Sequence, residues 1–186
     1  MAVTNIILAG IGGQGINSLA GVMAEYFQAS GYTCQYTVHK GGAQSLGSVY
    51  AEIRMAAGDL SVLGPGIPAG MLDILIALDP WEAIRHLPLA HTDTRLWVEQ
   101  ETMPMFVDRD SAAAMGLAQT SPQKQLEAVP LKLSWQPYRQ MAKSRTGSAR
   151  MANYFAGSDC LKALNLFDQA LYHSIFYKRI SRARTF

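Results

Sequence analysis

Ile6, Ile7, Leu8 and Ala9 form a continuous apolar run, the pattern of a strand buried on both faces of a parallel sheet. Glycines interrupt it. Ile16, Leu19, Ala20, Met23 and Phe27 then recur at three- and four-residue steps, which predicts the apolar face of a helix that stops at Gly31. The β-prone stretch 32–38, YTCQYTV, predicts a second strand, so the chain opens as a strand–helix–strand unit. Residues 39–48, HKGGAQSLGS, break the pattern with three glycines, and 49–55, VYAEIRM, alternates like a half-buried strand. Residues 63–70, LGPGIPAG, read as loop.

Further along, 71–80 (MLDILIALDP) predicts another buried strand, and 80–87 (PWEAIRHL) a helix with Pro80 in its first turn. RLWVEQ at 95–100 and PMFVD at 104–108 complete the expected sheet. Signals between 111 and 140 are mixed, and the part from about 145 to 186 reads as helical, in the segments 147–165 and 168–180. The expected fold is α/β, a Rossmann-like, doubly wound, mainly parallel sheet with a helical C-terminal part, in one domain over 1–186.

Composition narrows the function classes. Charged residues are 16% of the chain, against roughly 25% in ordinary domains. Either the surface is rich in small polar residues or another chain covers part of it, and the second is expected. A net charge of +2 is too small for a nucleic-acid footprint. No apolar run approaches the roughly 18 residues of a membrane span, and no basic region precedes Ile6, so a cytoplasmic setting is expected. The cysteines, Cys34 and Cys160, are far apart, too few for a zinc site or an iron–sulfur cluster held by this chain alone.

Gly10, Gly12 and Gly15 satisfy G-x-G-x-x-G between strand and helix, and Gly13 and Gln14 add a fourth glycine and an amide. Such a turn lets backbone N–H groups approach an anion at a helix N-terminus. A NAD site also needs an acid at the end of the second strand, about 20 positions on. No Asp or Glu lies between Glu25 and Glu52. Lys40 could serve an NADP phosphate, so a dinucleotide, another anion, and plain packing or subunit contact all stay open. In a parallel sheet the loop after the second strand emerges on the same edge. His39, Gly42, Gln44, Ser45, Gly47 and Ser48 are therefore candidates to join Gln14 at a ligand or a partner backbone. Asp79 and Glu82 suit a helix N-terminus, and Glu82 with Arg85 is an i, i+3 pair. No residue stands out as general acid, base, nucleophile or metal ligand.

Three blocks in order resemble one family: GIGGQGINSLA from Gly10, VHKGGAQSLGSVYAEIR ending at Arg54, and LDILIALDPWEAIRHLP from Leu72. They are similar to the gamma subunit or domain of 2-oxoacid:ferredoxin oxidoreductases of the pyruvate, ketoisovalerate and indolepyruvate types. His39, Ala43, Gln44 and Arg54 match its loop and strand, Asp79, Pro80, Glu82, Ala83 and Arg85 its strand and helix, and ARMAN at 149–153 its late helix start. Leu46 stands where that loop usually has a glycine. The resemblance implies an accessory subunit of an oxidoreductase that decarboxylates a 2-oxoacid oxidatively, commonly to an acyl-CoA, with ferredoxin as acceptor. It implies partner subunits that hold thiamine diphosphate, magnesium and iron–sulfur clusters, and a possible CoA contact at the glycine loops. A free-standing NAD(P)- or flavin-binding oxidoreductase and a non-catalytic interaction module are the alternatives.

Overall fold

The structure, a computed structural model, describes residues 3–41, 47–58, 66–103 and 121–183. Six strands form one sheet: β1 (Thr4–Ile11), β2 (Thr33–Lys40), β3 (Ser48–Ala56), β4 (Leu72–Ala77), β5 (Ala90–Glu99) and β6 (Lys132–Gln136). Its order is β2-β3-β1-β4-β5-β6. The helices are α1 (Ile16–Ala29), α2 (Pro80–His86), α3 (Pro122–Glu127), α4 (Tyr138–Thr146), α5 (Ala152–Ala163) and α6 (Gln169–Ala183). Short 3-10 turns follow α2 at Leu87–Leu89 and precede α5 at Ala149–Met151.

Alternation along the central strands sorts side chains into two cores. Ile6 and Leu8 of β1, with Ile74 and Ile76 of β4, pack under α1, α4, α5 and α6. Ile7 and Ala9, with Leu75 and Ala77, face the thinner layer, where Ala83 of α2 and Leu126 of α3 join them. Every residue of β1 from Asn5 onward is buried. The continuous apolar run is thus the central strand of a sheet covered on both faces.

One pairing departs from the expected parallel order. β1 pairs with β4 in parallel, as do β4 with β5 and β5 with β6, but β3 lies antiparallel between β1 and β2. The strand–helix–strand unit is present in direction, with a hairpin strand inserted in it. His39 and Lys40, expected in the loop, extend β2, and Ser48 opens β3. β2 forms the sheet's edge, which explains its mostly exposed pattern. The mixed region supplies α3, β6 and the start of α4, and PMFVD at 104–108 lies outside the described residues.

The C-terminal helices are integral to the larger core. The Tyr26 hydroxyl of α1 donates to the Leu166 carbonyl at 2.5 Å and accepts from the Asp168 amide at 2.7 Å. It thereby fixes the turn between α5 and α6. Tyr172, fully buried, donates from its hydroxyl to the Tyr154 carbonyl at 2.9 Å. Tyr26→Phe keeps the ring but strands the Leu166 carbonyl and the Asp168 amide; urea unfolding should show a loss of about 1–3 kcal/mol. An unchanged midpoint would mean that water replaces the hydroxyl.

Candidate functional site

The turn between β1 and α1 is held by the side chain of Gln14. Its Oε1 accepts from the Ile11 amide at 2.6 Å, and its Nε2 donates to the Leu78 carbonyl at 2.9 Å. Leu78 in turn donates from its amide to the Ala9 carbonyl at 2.9 Å. The Gln14 amide, a candidate ligand group in the sequence, is thus a brace between the ends of β1 and β4. Gly10 makes room for it, because a Cβ there would meet Gln14 Oε1 at 2.5 Å. Gly15, the N-cap of α1, has φ 77° and lies against the side chain of Asn153 on α5, which donates to its carbonyl at 3.3 Å. A side chain at Gly15 would be both strained and blocked.

Part of the second loop meets this turn as expected. The Gly12 amide donates to the Gly47 carbonyl at 2.8 Å, and Ser48 stands opposite Ile11 in the sheet register. Gly42, Gln44 and Ser45 lie outside the described residues. His39 is placed elsewhere: β3 separates its strand from β1, and its ring stacks on Tyr50 at 4.5 Å. Its Nε2 lies 3.8 Å from Glu52 Oε1. The inserted strand also sets the end of β2 one position farther from the glycine turn than a dinucleotide fold requires.

Ser48 ties this edge to α2, its hydroxyl donating to Glu82 Oε2 at 2.5 Å. Glu82 also takes Arg85 Nε at 3.1 Å, the expected i, i+3 pair. Burial raises the Glu82 carboxyl above its usual range, and Ser48 and Arg85 oppose the rise. Asp79 caps α2 as expected, accepting from the Trp81 amide at 2.9 Å. Its other oxygen accepts from the Met103 amide at 2.9 Å, a role the sequence did not suggest. Burial raises its pKa while these amides lower it.

Beside the turn lies a cleft of about 210 Å³, lined by Gly12, Gly13, Gln14, Met103, Arg139 and Arg150 among others. It opens where the C-terminal ends of β1 and β4 meet, the point at which the strand order reverses. The fully buried Glu99 accepts from the amides of Glu101 at 3.1 Å and Arg139 at 2.8 Å, fixing the start of α4 at the cleft wall. Sequence reading missed Arg139, Arg150 and Glu99. ARMAN held the signal for Arg150; for Arg139 and Glu99 no spacing pointed to the cleft.

A family model described as pyruvate ferredoxin/flavodoxin oxidoreductase matches residues 5–184. The chain belongs to this family. Indolepyruvate oxidoreductase subunit IorB of Archaeoglobus fulgidus is 37% identical over 90 residues, 48% of this chain and 43% of that protein. Its namesake in Methanothermobacter thermautotrophicus is 33% identical over 102 residues, 55% of this chain and 50% of that protein. The matched stretch thus spans about half the length of these curated relatives.

In fold, the family member resembles the gamma subunit of a keto/oxoacid ferredoxin oxidoreductase from Geobacter sulfurreducens. That match has TM-score 0.64 and 17% identity, over 95% of this chain and 86% of the other. A 2-oxoglutarate:ferredoxin oxidoreductase from Magnetococcus marinus, solved with 2-oxoglutarate, coenzyme A and succinyl-CoA, shares the fold at TM-score 0.60 and 15% identity. It matches all of this chain, which corresponds to 32% of the other.

Two outcomes test the geometry. Gln14→Leu leaves the Ile11 amide and the Leu78 carbonyl without partners, and chemical denaturation should show a loss of about 2–4 kcal/mol. A loss below about 0.5 kcal/mol would remove Gln14 as the brace. The second outcome concerns His86, which packs on Tyr50 at 4.5 Å with Nε2 buried and unpartnered among the described residues. Burial, then the Arg85 and His39 charges, lowers its pKa to about 4. Unfolded, the ring titrates near the ordinary value of about 6.5, so it binds more protons than the folded form between these pH values. Its stabilising contribution is whole above about pH 6.5 and falls away, by on the order of 3 kcal/mol, as pH drops to about 4. His86→Phe should flatten that slope in stability measured against pH, and an unaltered slope would assign it to other groups.

Proposed function

We propose that this chain is the accessory, gamma-type subunit of a 2-oxoacid:ferredoxin oxidoreductase. What carries the reading is the family match over residues 5–184. The names of the relatives support it: they are subunits of indolepyruvate and keto/oxoacid oxidoreductases. In this reading the assembled enzyme oxidatively decarboxylates a 2-oxoacid, commonly to an acyl-CoA, and reduces ferredoxin. Partner subunits hold thiamine diphosphate, magnesium and the iron–sulfur clusters.

The side chains in and around the cleft, and the two cysteines away from it, support that division. Cys34 and Cys160 are too few for a cluster, and burial pushes both thiols up to about 12. The carboxylates next to the cleft, Asp79 and Glu99, already accept from backbone amides, which makes them poor ligands for a diphosphate-bound magnesium ion. Guanidiniums and backbone N–H groups suit the phosphates of CoA instead. When bound, CoA supplies the thiol that takes up the acyl group. Gly10, Gly12, Gly13, Gln14, Gly15, Gly47 and Ser48 then form the edge past which substrate or CoA reaches the thiamine-bearing partner. Gly42, Gln44 and Ser45 are further candidates for this edge.

The test is anaerobic co-purification through a tag on this chain, followed by 2-oxoacid-driven viologen reduction. Activity is expected from the iron-containing complex and not from the chain alone, and a panel of 2-oxoacids names the substrate. A lone chain that retains a flavin or dinucleotide, read from its absorbance spectrum, would overturn the proposal.

A further inference from the structure

The two edges of the sheet are built differently. β6, at one end, is five residues long, starts at Lys132 and is bracketed by Pro130 and Pro137. Shortness, lysine and proline are devices that keep an edge strand from pairing with another chain. β2, at the other end, has none of them before its last residue, Lys40. It runs for eight residues without proline, and its register with β3 is unbroken from Thr33 opposite Ala56 to Lys40 opposite Val49. No Asp, Glu, Lys or Arg occurs from Tyr26 to His39.

The open side of β2 has a definite set of backbone groups. The Gly41 amide donates to the Ser48 carbonyl at 2.7 Å, which places Gly41 in a bonded pair with β3. Alternation in an antiparallel ladder then turns the N–H and C=O groups of Thr33, Gln35, Thr37 and His39 toward β3 as well. Those of Cys34, Tyr36, Val38 and Lys40 point the other way, where no strand pairs with them among the described residues. Cys34 and Val38 flank the larger core, and Tyr36 between them is 41% exposed.

We propose that β2 is the contact between two copies of this chain, paired antiparallel about a two-fold axis at Thr37 so that one sheet runs through both. The four outward residues lie evenly about Thr37, so this register engages all their backbone groups at once. Cys34 meets Lys40 of the second copy, and Tyr36 meets Val38. On that face an aromatic ring stands against a β-branched side chain twice over, a favourable cross-strand pair. On the other face Thr37 meets its own counterpart, and Gln35 meets His39. Lys40 never faces Lys40, so no like charges oppose each other. A register centred on Tyr36 would instead set Lys40 against Tyr32, whose amide already donates to the Phe27 carbonyl at 2.9 Å. The strand is thus complementary to itself, which a two-fold contact demands and an unrelated strand does not. The contact is independent of the subunit reading above.

Sedimentation velocity of the full chain over a dilution series should show a reversible dimer. Thr37→Lys sets two ammonium groups across the axis and should weaken that dimer about fivefold. Val38→Pro removes an outward N–H while the ladder to β3 keeps its donors, and should weaken the dimer about tenfold. Thr37 is exposed, so Thr37→Lys keeps the test valid even if the proline disturbs the strand. Thr37→Cys reads the register. Facing positions at the axis have Cα atoms about 4.5 Å apart, within disulfide range. Mild oxidation should therefore give a covalent dimer of that variant and none of the unsubstituted chain, whose Cys34 faces Lys40.

A chain that stays monomeric at every concentration would overturn the pairing, as would a dimer that ignores both Thr37→Lys and Val38→Pro or no cross-link through Thr37→Cys. An assembled complex that holds one copy of this chain, with the amides of 34–40 protected from exchange, would also overturn it, because a strand of another subunit then fills the edge.

Discussion

The Gln14 amide carries the β1–β4 pairing past its last backbone bond, from the Leu78 amide to the Ala9 carbonyl. It accepts from Ile11 at the end of β1 and donates to Leu78 just beyond β4. Both partners are backbone groups at the closely packed centre of the sheet, where an unmet hydrogen bond is costly. Other features of this edge follow from that brace. Gly10 must lack a Cβ because the amide oxygen lies over it, and Gly15 must turn left-handed to start α1 against Asn153. The cleft has a firm floor because its glycine backbone is tied on one side to β4 and on the other, through Gly12 and Gly47, to β3.

The same device recurs with carboxylates. Asp79 joins the start of α2 to Met103, and Glu99 joins Glu101 to the start of α4. Each buried acid accepts one amide from two residues along the chain and one from a segment 24 or 40 positions away. Burial raises both pKa values, and the amide bonds counter that rise. Three side chains thus hold the loops at the C-terminal ends of the strands without a metal or a disulfide among the described residues.

Local pattern made much of this fold legible. The apolar run at Ile6–Ala9, the helical spacing from Ile16 to Phe27, and the Asp79 cap each act over a few residues, so a sequence displays them. The antiparallel insertion of β3 was not legible, because strand order is decided by contacts across the sheet. β6 escaped notice because LKLSW is short and half-buried. The site divides in the same way. Glycine positions and the meeting of Gly12 with Gly47 could be read from turn chemistry and edge geometry. The role of Gln14 could not, since its partner Leu78 lies 64 positions away. His39 does not lie beside the turn, because a parallel sheet is the premise of that expectation and β3 runs antiparallel between β1 and β2.

The inserted hairpin strand also bears on how the chain is made. β1 pairs with no strand before β3, which begins at Ser48, and finds its second neighbour only in β4, from Leu72. β2 and β3, by contrast, are close in sequence and set their register locally. Until the hairpin is complete, a growing chain carries an apolar strand with both edges open, an aggregation-prone arrangement. The vulnerable interval belongs to synthesis rather than to the finished fold: one edge of β1 closes once residue 56 has emerged, the other once residue 77 has.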